Sequence, residues 1–142
     1  MPKPTQQYHL PDDLIQDISA KTLSVEEKVL NKQVPEYPDF VAALAKPMAT
    51  PMDNILHMAV GLSGEAGELL DAVKKGWAYN KPLDFANMIE ELGDALFYIQ
   101  GMLNFLGMEP DTVIRMNQHK LLKRFPNVAY SDLHAQQRLD KQ

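Results

Sequence analysis

Beyond Thr50 the apolar residues of this chain recur at steps of three and four. Ile55, Ala59, Leu62, Ala66, Leu69 and Val73 form one stripe, and Phe85, Met88, Leu92, Leu96, Ile99, Leu103 and Leu106 form a second, the spacing of two amphipathic helices. Strand-like alternation is missing, so the expected fold class is all-α, a helical bundle. Thr50-Pro51-Met52-Asp53 offers a capping hydroxyl, a first-turn proline and an acid in the order that starts a helix, and Gly76 is placed to stop it. A loop over residues 77–83 should follow. Asp84 can cap the second long helix, which should end near Gly107. A third is expected from near Pro110 to Phe125, before Pro126, with Ile114, Leu121 and Phe125 as its apolar row.

The first third reads differently. Prolines at 2, 4, 11, 35, 38, 47 and 51 limit helix length there. Residues 1–10 look like a loose arm. Ser24-Val-Glu-Glu suggests a capping box for a short helix over about 24–33. Asp39 can cap another, from Phe40 to Lys46, which Pro47 ends. The polar tail from Asn127 to Gln142 suits a short helix or a flexible arm. The chain thus divides into an N-terminal extension (1–50), a central helical domain (51–126) and a C-terminal tail (127–142).

Composition narrows the function. A length of 142 residues with 45% hydrophobic content suits one domain. A net charge of −5 argues against a nucleic-acid polymer as partner, since such binders carry a basic face. Cysteine is absent, which removes disulfides, thiolate metal sites and a thiol nucleophile. No apolar run approaches a membrane span and no signal peptide is evident, so a cytoplasmic protein with no membrane partner is expected.

Two pairs of acids lie within the long helices. Glu65 with Glu68 and Glu91 with Asp94 are each three apart, so both members of a pair project from one face. Surface helices are rich in acids. Packing the two apolar stripes, however, would bring these pairs together, where four carboxylates repel unless a cation neutralises them. Mg²⁺ suits them, because it takes oxygen ligands and keeps waters that substrate phosphates replace. Gly61, Gly64 and Gly67 each cost helix stability, about 1 kcal/mol relative to Ala. Either another backbone or a ligand approaches there, or the helix bends near Gly64.

Asn117, Lys120 and Arg124 share a helix face, suited to phosphate oxygens or to solvent alone. Lys74, Lys75 and Lys81 lie near the end of the first long helix, where cations are favoured in any case. Trp77 and Tyr79 can stack on a base or pack in an interface. His57 lies two turns before Glu65, as a substrate contact or a structural residue.

The segments GLSGEAGELLDAVKK, IEELGDALFYI and NQHKLLKRF resemble the MazG-like branch of the all-α nucleoside triphosphate pyrophosphatases, whose pattern is E-x-x-E, a spacer, then E-x-x-D. The resemblance covers roughly residues 54–126. It implies a four-helix core completed by homodimerisation or homotetramerisation. It also implies Mg²⁺-dependent hydrolysis of a nucleoside triphosphate to a monophosphate and pyrophosphate, with Mn²⁺ as a substitute ion. Glu65, Glu68, Glu91 and Asp94 would then be metal ligands and catalytic groups. Asn117, Lys120 and Arg124 would hold phosphates; apart from the resemblance, the chemistry of Trp77, His57 and Lys74 makes them candidate further substrate contacts. Many relatives carry an extra acid where this chain has Gly64. The alternatives are a phosphoribosyl-ATP pyrophosphatase, which shares the acid pattern, a non-catalytic nucleotide- or metal-binding helical module, and a plain interaction bundle.

Overall fold

A computed structural model describes residues 9–141, and among them helix is the only regular secondary structure. The elements are α1 (Asp12–Leu30), α2 (Tyr37–Leu44), α3 (Pro51–Tyr79), α4 (Phe85–Leu106), α5 (Pro110–Arg124), α6 (Asp132–Gln137) and a 3₁₀ turn, Leu139–Lys141. Most of the expected loose arm lies outside the described residues. None of the described helices is long and apolar enough to cross a membrane.

Local chemistry explains where the long helices begin. The Asp53 N–H donates to Thr50 Oγ1 at 3.1 Å, and the Thr50 hydroxyl donates to Asp53 Oδ2 at 2.8 Å. This reciprocal pair satisfies one of the backbone donors that a helix start leaves open. At α4 the Asn87 N–H donates to Asp84 Oδ1 at 3.0 Å. Gly107, at φ 63°, releases the chain after α4, a left-handed conformation that costs glycine little.

Three boundaries differ from expectation, and the tail takes the helical one of its two expected forms. Gly76 does not end α3, which runs to Tyr79 and closes on Asn80 at φ 51°. A Cβ on Gly76 would come within 2.5 Å of Leu83 Cδ2, so this glycine admits a neighbour instead of capping. In place of a helix over 24–33, α1 begins at Asp12 with two acids in its first turn. Ser24 falls inside that helix, because a capping box starts a helix only where the chain ahead of it is not already helical. α2 begins at Tyr37, with Pro38 in its first turn, and stops at Leu44 before Pro47. The tail forms the capped short helix α6, in which Ser131 Oγ accepts from the His134 N–H at 3.4 Å.

The chain forms two compact units, one running to Met102 and the other from Leu103 onward. In the first, Met58 and Ala72 of α3 are buried, as is Val41 of α2. The packed side of α3 is therefore rotated from the expected stripe: Ile55, Leu62 and Leu69 are half-buried, whereas Ala59, Ala66 and Val73 are exposed. The corresponding stripe on α4 leaves Leu92, Leu96 and Ile99 exposed. Large residues meeting glycines make the α3–α4 contact. Tyr98 lies over Gly61, and Met58 lies over Gly101. In the second unit, α5 packs with α6 and the 3₁₀ turn, and no residue of α5 itself is buried.

Candidate functional site

The α3–α4 contact sets the position of the acids. Met58 faces Gly101, and three residues further along α3, Gly61 faces Tyr98, three residues back along α4. This is an antiparallel register. Continued at helical steps of three and four, it brings Glu65 level with Asp94 and Glu68 level with Glu91. Carboxylate oxygens of Glu65, Glu91 and Asp94 indeed lie within 4.8 Å of one another.

Electrostatics marks this as a strained set of donors. Glu91 is raised above the ordinary carboxylate value, by burial first, then by a hydrogen bond with Glu65 and the negative charges of Glu65, Glu68 and Asp94. Two carboxyl groups can share a hydrogen bond only with a proton between them. A divalent cation would replace that proton and relieve the repulsion, and an all-oxygen set of acids is the chemistry that hard cations select. The residues therefore fit a hard divalent cation. Glu68 stands outside the close trio and is exposed, while its charge still reaches Glu91.

Around the acids the expected residues behave differently from one another. His57 is half-buried, with its ring edge-on to Tyr98 at 6.4 Å and 74°. Its Nδ1 is buried without a hydrogen-bond partner. Lys75 is drawn into an ion pair with Asp71 at 2.8 Å, whereas Lys74 is exposed. Trp77 is 87% exposed and Tyr79 is exposed as well. Among the described residues, close approach at the three glycines is realised at Gly61 alone; Gly64 and Gly67 have none of them within 4 Å, and α3 continues through both unbroken.

One neighbour of the acids escaped sequence reasoning. The Tyr37 phenol, at the start of α2, is raised by burial and by the charge of Asp94. No helical spacing links a residue of the N-terminal extension to α4. The only available signal was its position beside Pro38 at a helix start.

In the second unit, Asn117 and Lys120 of α5 are exposed. Arg124 is paired: Nε donates to Asp140 Oδ1 and Nη2 to Oδ2, both at 2.7 Å. Asp140 also went unanticipated, since a tail residue sixteen positions away follows no helical period. A cavity of about 560 Å³ is lined by α5 and the turn after it, including Leu121, Leu122, Phe125 and Tyr130. Its lining holds no charged side chain, so it offers no countercharge to a phosphate.

The chain is all-α among the described residues, and three carboxylates that could hold a metal ion converge across two antiparallel helices. The family model for the MazG nucleotide pyrophosphohydrolase domain matches residues 54–129, more than half of the 142 residues, and the chain belongs to that family. Neither a curated protein nor a solved structure matches it. Membership makes the fold MazG-like and carries hydrolase activity on a nucleotide as its general function.

Proposed function

We propose that the protein hydrolyses nucleoside triphosphates to the monophosphate and pyrophosphate in a Mg²⁺-dependent reaction. The observation that carries this reading is the convergence of Glu65, Glu91 and Asp94 within 4.8 Å, inside a matched pyrophosphohydrolase domain. Glu65, Glu68, Glu91 and Asp94 would hold the ion, and Mn²⁺ would substitute. When bound, such an ion polarises phosphoryl oxygens and lowers the pKa of a coordinated water.

The chain's own groups do the rest. Water oxygen bonds to the α-phosphorus, the bond from that phosphorus to the bridging oxygen breaks, and pyrophosphate leaves. One of the carboxylates accepts the water's proton. Lys120, Arg124 and the Asn117 amide donate to phosphate oxygens and offset the charge that builds on the leaving group. Lys74 adds positive charge from an exposed position. Trp77 offers its exposed ring to a base, and His57 contacts the substrate from beside Tyr98.

Association supports the same reading. Leu92, Leu96 and Ile99 of α4 are exposed, which suits a helical core completed by a second copy, as a homodimer or homotetramer. A cytoplasmic setting supplies the nucleotides.

The test is a panel of ribo- and deoxyribonucleoside triphosphates, with phosphoribosyl-ATP beside them, followed by product identification. Pyrophosphate and a monophosphate are expected. Release of orthophosphate would refute the reaction, and turnover retained in Glu68→Ala would refute that residue's role.

A further inference from the structure

Arg124 has five N–H donors in a planar fork, and Asp140 engages only one edge of it. The Nε and Nη2 bonds, each 2.7 Å, form the side-on bidentate arrangement. Two N–H groups on Nη1 and the second on Nη2 are left. They point from the end of the guanidinium, the edge that suits a phosphate. The pair is asymmetric in cover: the Asp140 side chain is fully buried, whereas a fifth of the Arg124 side chain is exposed.

The backbone is shaped to deliver this acid. Arg138 takes φ 49°, a left-handed conformation unfavourable to a side chain, and thereby turns the chain from α6 into the 3₁₀ turn. That turn packs on α5 and carries Asp140 to the last residue of the helix.

We propose that Asp140 is a positioning residue for Arg124, holding its guanidinium side-on so that the free end-on edge is preset for a substrate phosphate. This rests on the proposed nucleotide reaction, in which Arg124 is a phosphate donor. Without its partner, the arginine side chain would sample many rotamers, and each binding event would have to order it again. Asp140 stays ionised across ordinary pH, because the Arg124 hydrogen bonds hold its carboxyl down at about 2. A lock that competes with substrate would have to expose and unpair this fully buried carboxylate, which is costly.

The experiment uses the full chain with Mg²⁺ and a nucleoside triphosphate that carries a methylene in place of the α,β-bridging oxygen, measured by titration calorimetry, so that binding is read without turnover at that bond. Asp140→Ala should weaken binding about threefold to tenfold, the scale of immobilising one long side chain. Asp140→Asn, which keeps the volume, should do the same, and Asp140→Glu should restore much of the loss. In Arg124→Ala the further change Asp140→Ala should have no effect, because the two act through one guanidinium. Tighter binding by Asp140→Ala would show a competing lock and overturn the proposal. Unchanged binding in that variant, with a loss in Arg124→Ala, would show a structural tie only and overturn it too. A wild-type chain that binds no triphosphate would instead overturn the functional reading on which it rests.

Discussion

Gly61→Ala places one methyl carbon against the ring of Tyr98. That ring has little freedom to retreat. Phe97 lies edge-on to it at 5.5 Å and 90°, and His57 lies edge-on at 6.4 Å and 74°. Replacing glycine in a helix interior gains about 1 kcal/mol, whereas overpacking a filled contact costs about 1–3 kcal/mol. Gly64→Ala provides the control within the same helix, since nothing lies within 4 Å of its added carbon. It should collect the helical gain alone. The two variants should therefore differ by the overpacking cost. At about 2 kcal/mol this is about 4–8 °C in melting temperature for a chain of this size. Thermal melts followed by circular dichroism at one protein concentration give the comparison, with concentration fixed in case the chain associates. Introducing Tyr98→Leu should erase the Gly61→Ala penalty, a coupling that two contacting residues must show. If Gly61→Ala proves as stable as Gly64→Ala, the register drawn for α3 and α4 is wrong.

Thr50→Ala should cost about 1 kcal/mol by removing the acceptor for the Asp53 N–H, read by urea denaturation. Glu91 is raised above 4.5 by its burial and its acidic neighbours. Between that value and the raised one the folded chain binds more protons than the unfolded chain, so metal-free stability should fall as pH rises through this window. Glu91→Gln should flatten that limb and abolish the rise in melting temperature on adding Mg²⁺, seen in melts across a pH series. Asp140 has the opposite sign: lowered from 3.8 to about 2, its pairing stabilises the tail fully above about 4 and is lost as pH falls toward 2. Hydrogen exchange in the 3₁₀ turn should report that loss, and Asp140→Asn should remove the pH dependence. Trp77 is the chain's single tryptophan and is 87% exposed. Its fluorescence should be quenched by a nucleoside triphosphate with Mg²⁺, whereas inorganic triphosphate, which lacks a base to stack, should leave it unchanged.

Features governed by neighbouring residues were legible in the sequence. Thr50, Asp53 and Asp84 cap as expected, because a cap involves only the next three positions, and Gly107 ends α4 for a similarly local reason. The acid pairs were legible through spacing, and three of their four members do converge. What escaped was decided across the chain. The buried side of α3 was misplaced because the contact is governed by Tyr98 and Met58 seating on glycines, and a stripe drawn through large apolar residues overlooks glycine as a partner. Gly76 resembles a stop signal until Leu83 is seen above it. Ser24 carries a valid capping pattern that a helix begun at Asp12 overrides. Tyr37 and Asp140 reach their partners through tertiary structure, for which no periodicity exists.

The reciprocal seating of Tyr98 on Gly61 and Met58 on Gly101 also acts as a distance gauge. Interaxial separations of packed helices run from about 8 to 10 Å according to the side chains at the contact, and glycine opposite each large residue favours the near end. Asp94 is one methylene shorter than the glutamates it joins. It can share ligand space with Glu65 and Glu91 only if the two helices come close. Widening the gap with bulky residues at 61 and 101 would leave all the acids in place on their helices and withdraw the shortest of them from the group. The two glycines, which carry no functional group, thus set how many oxygens the acids can bring to one point.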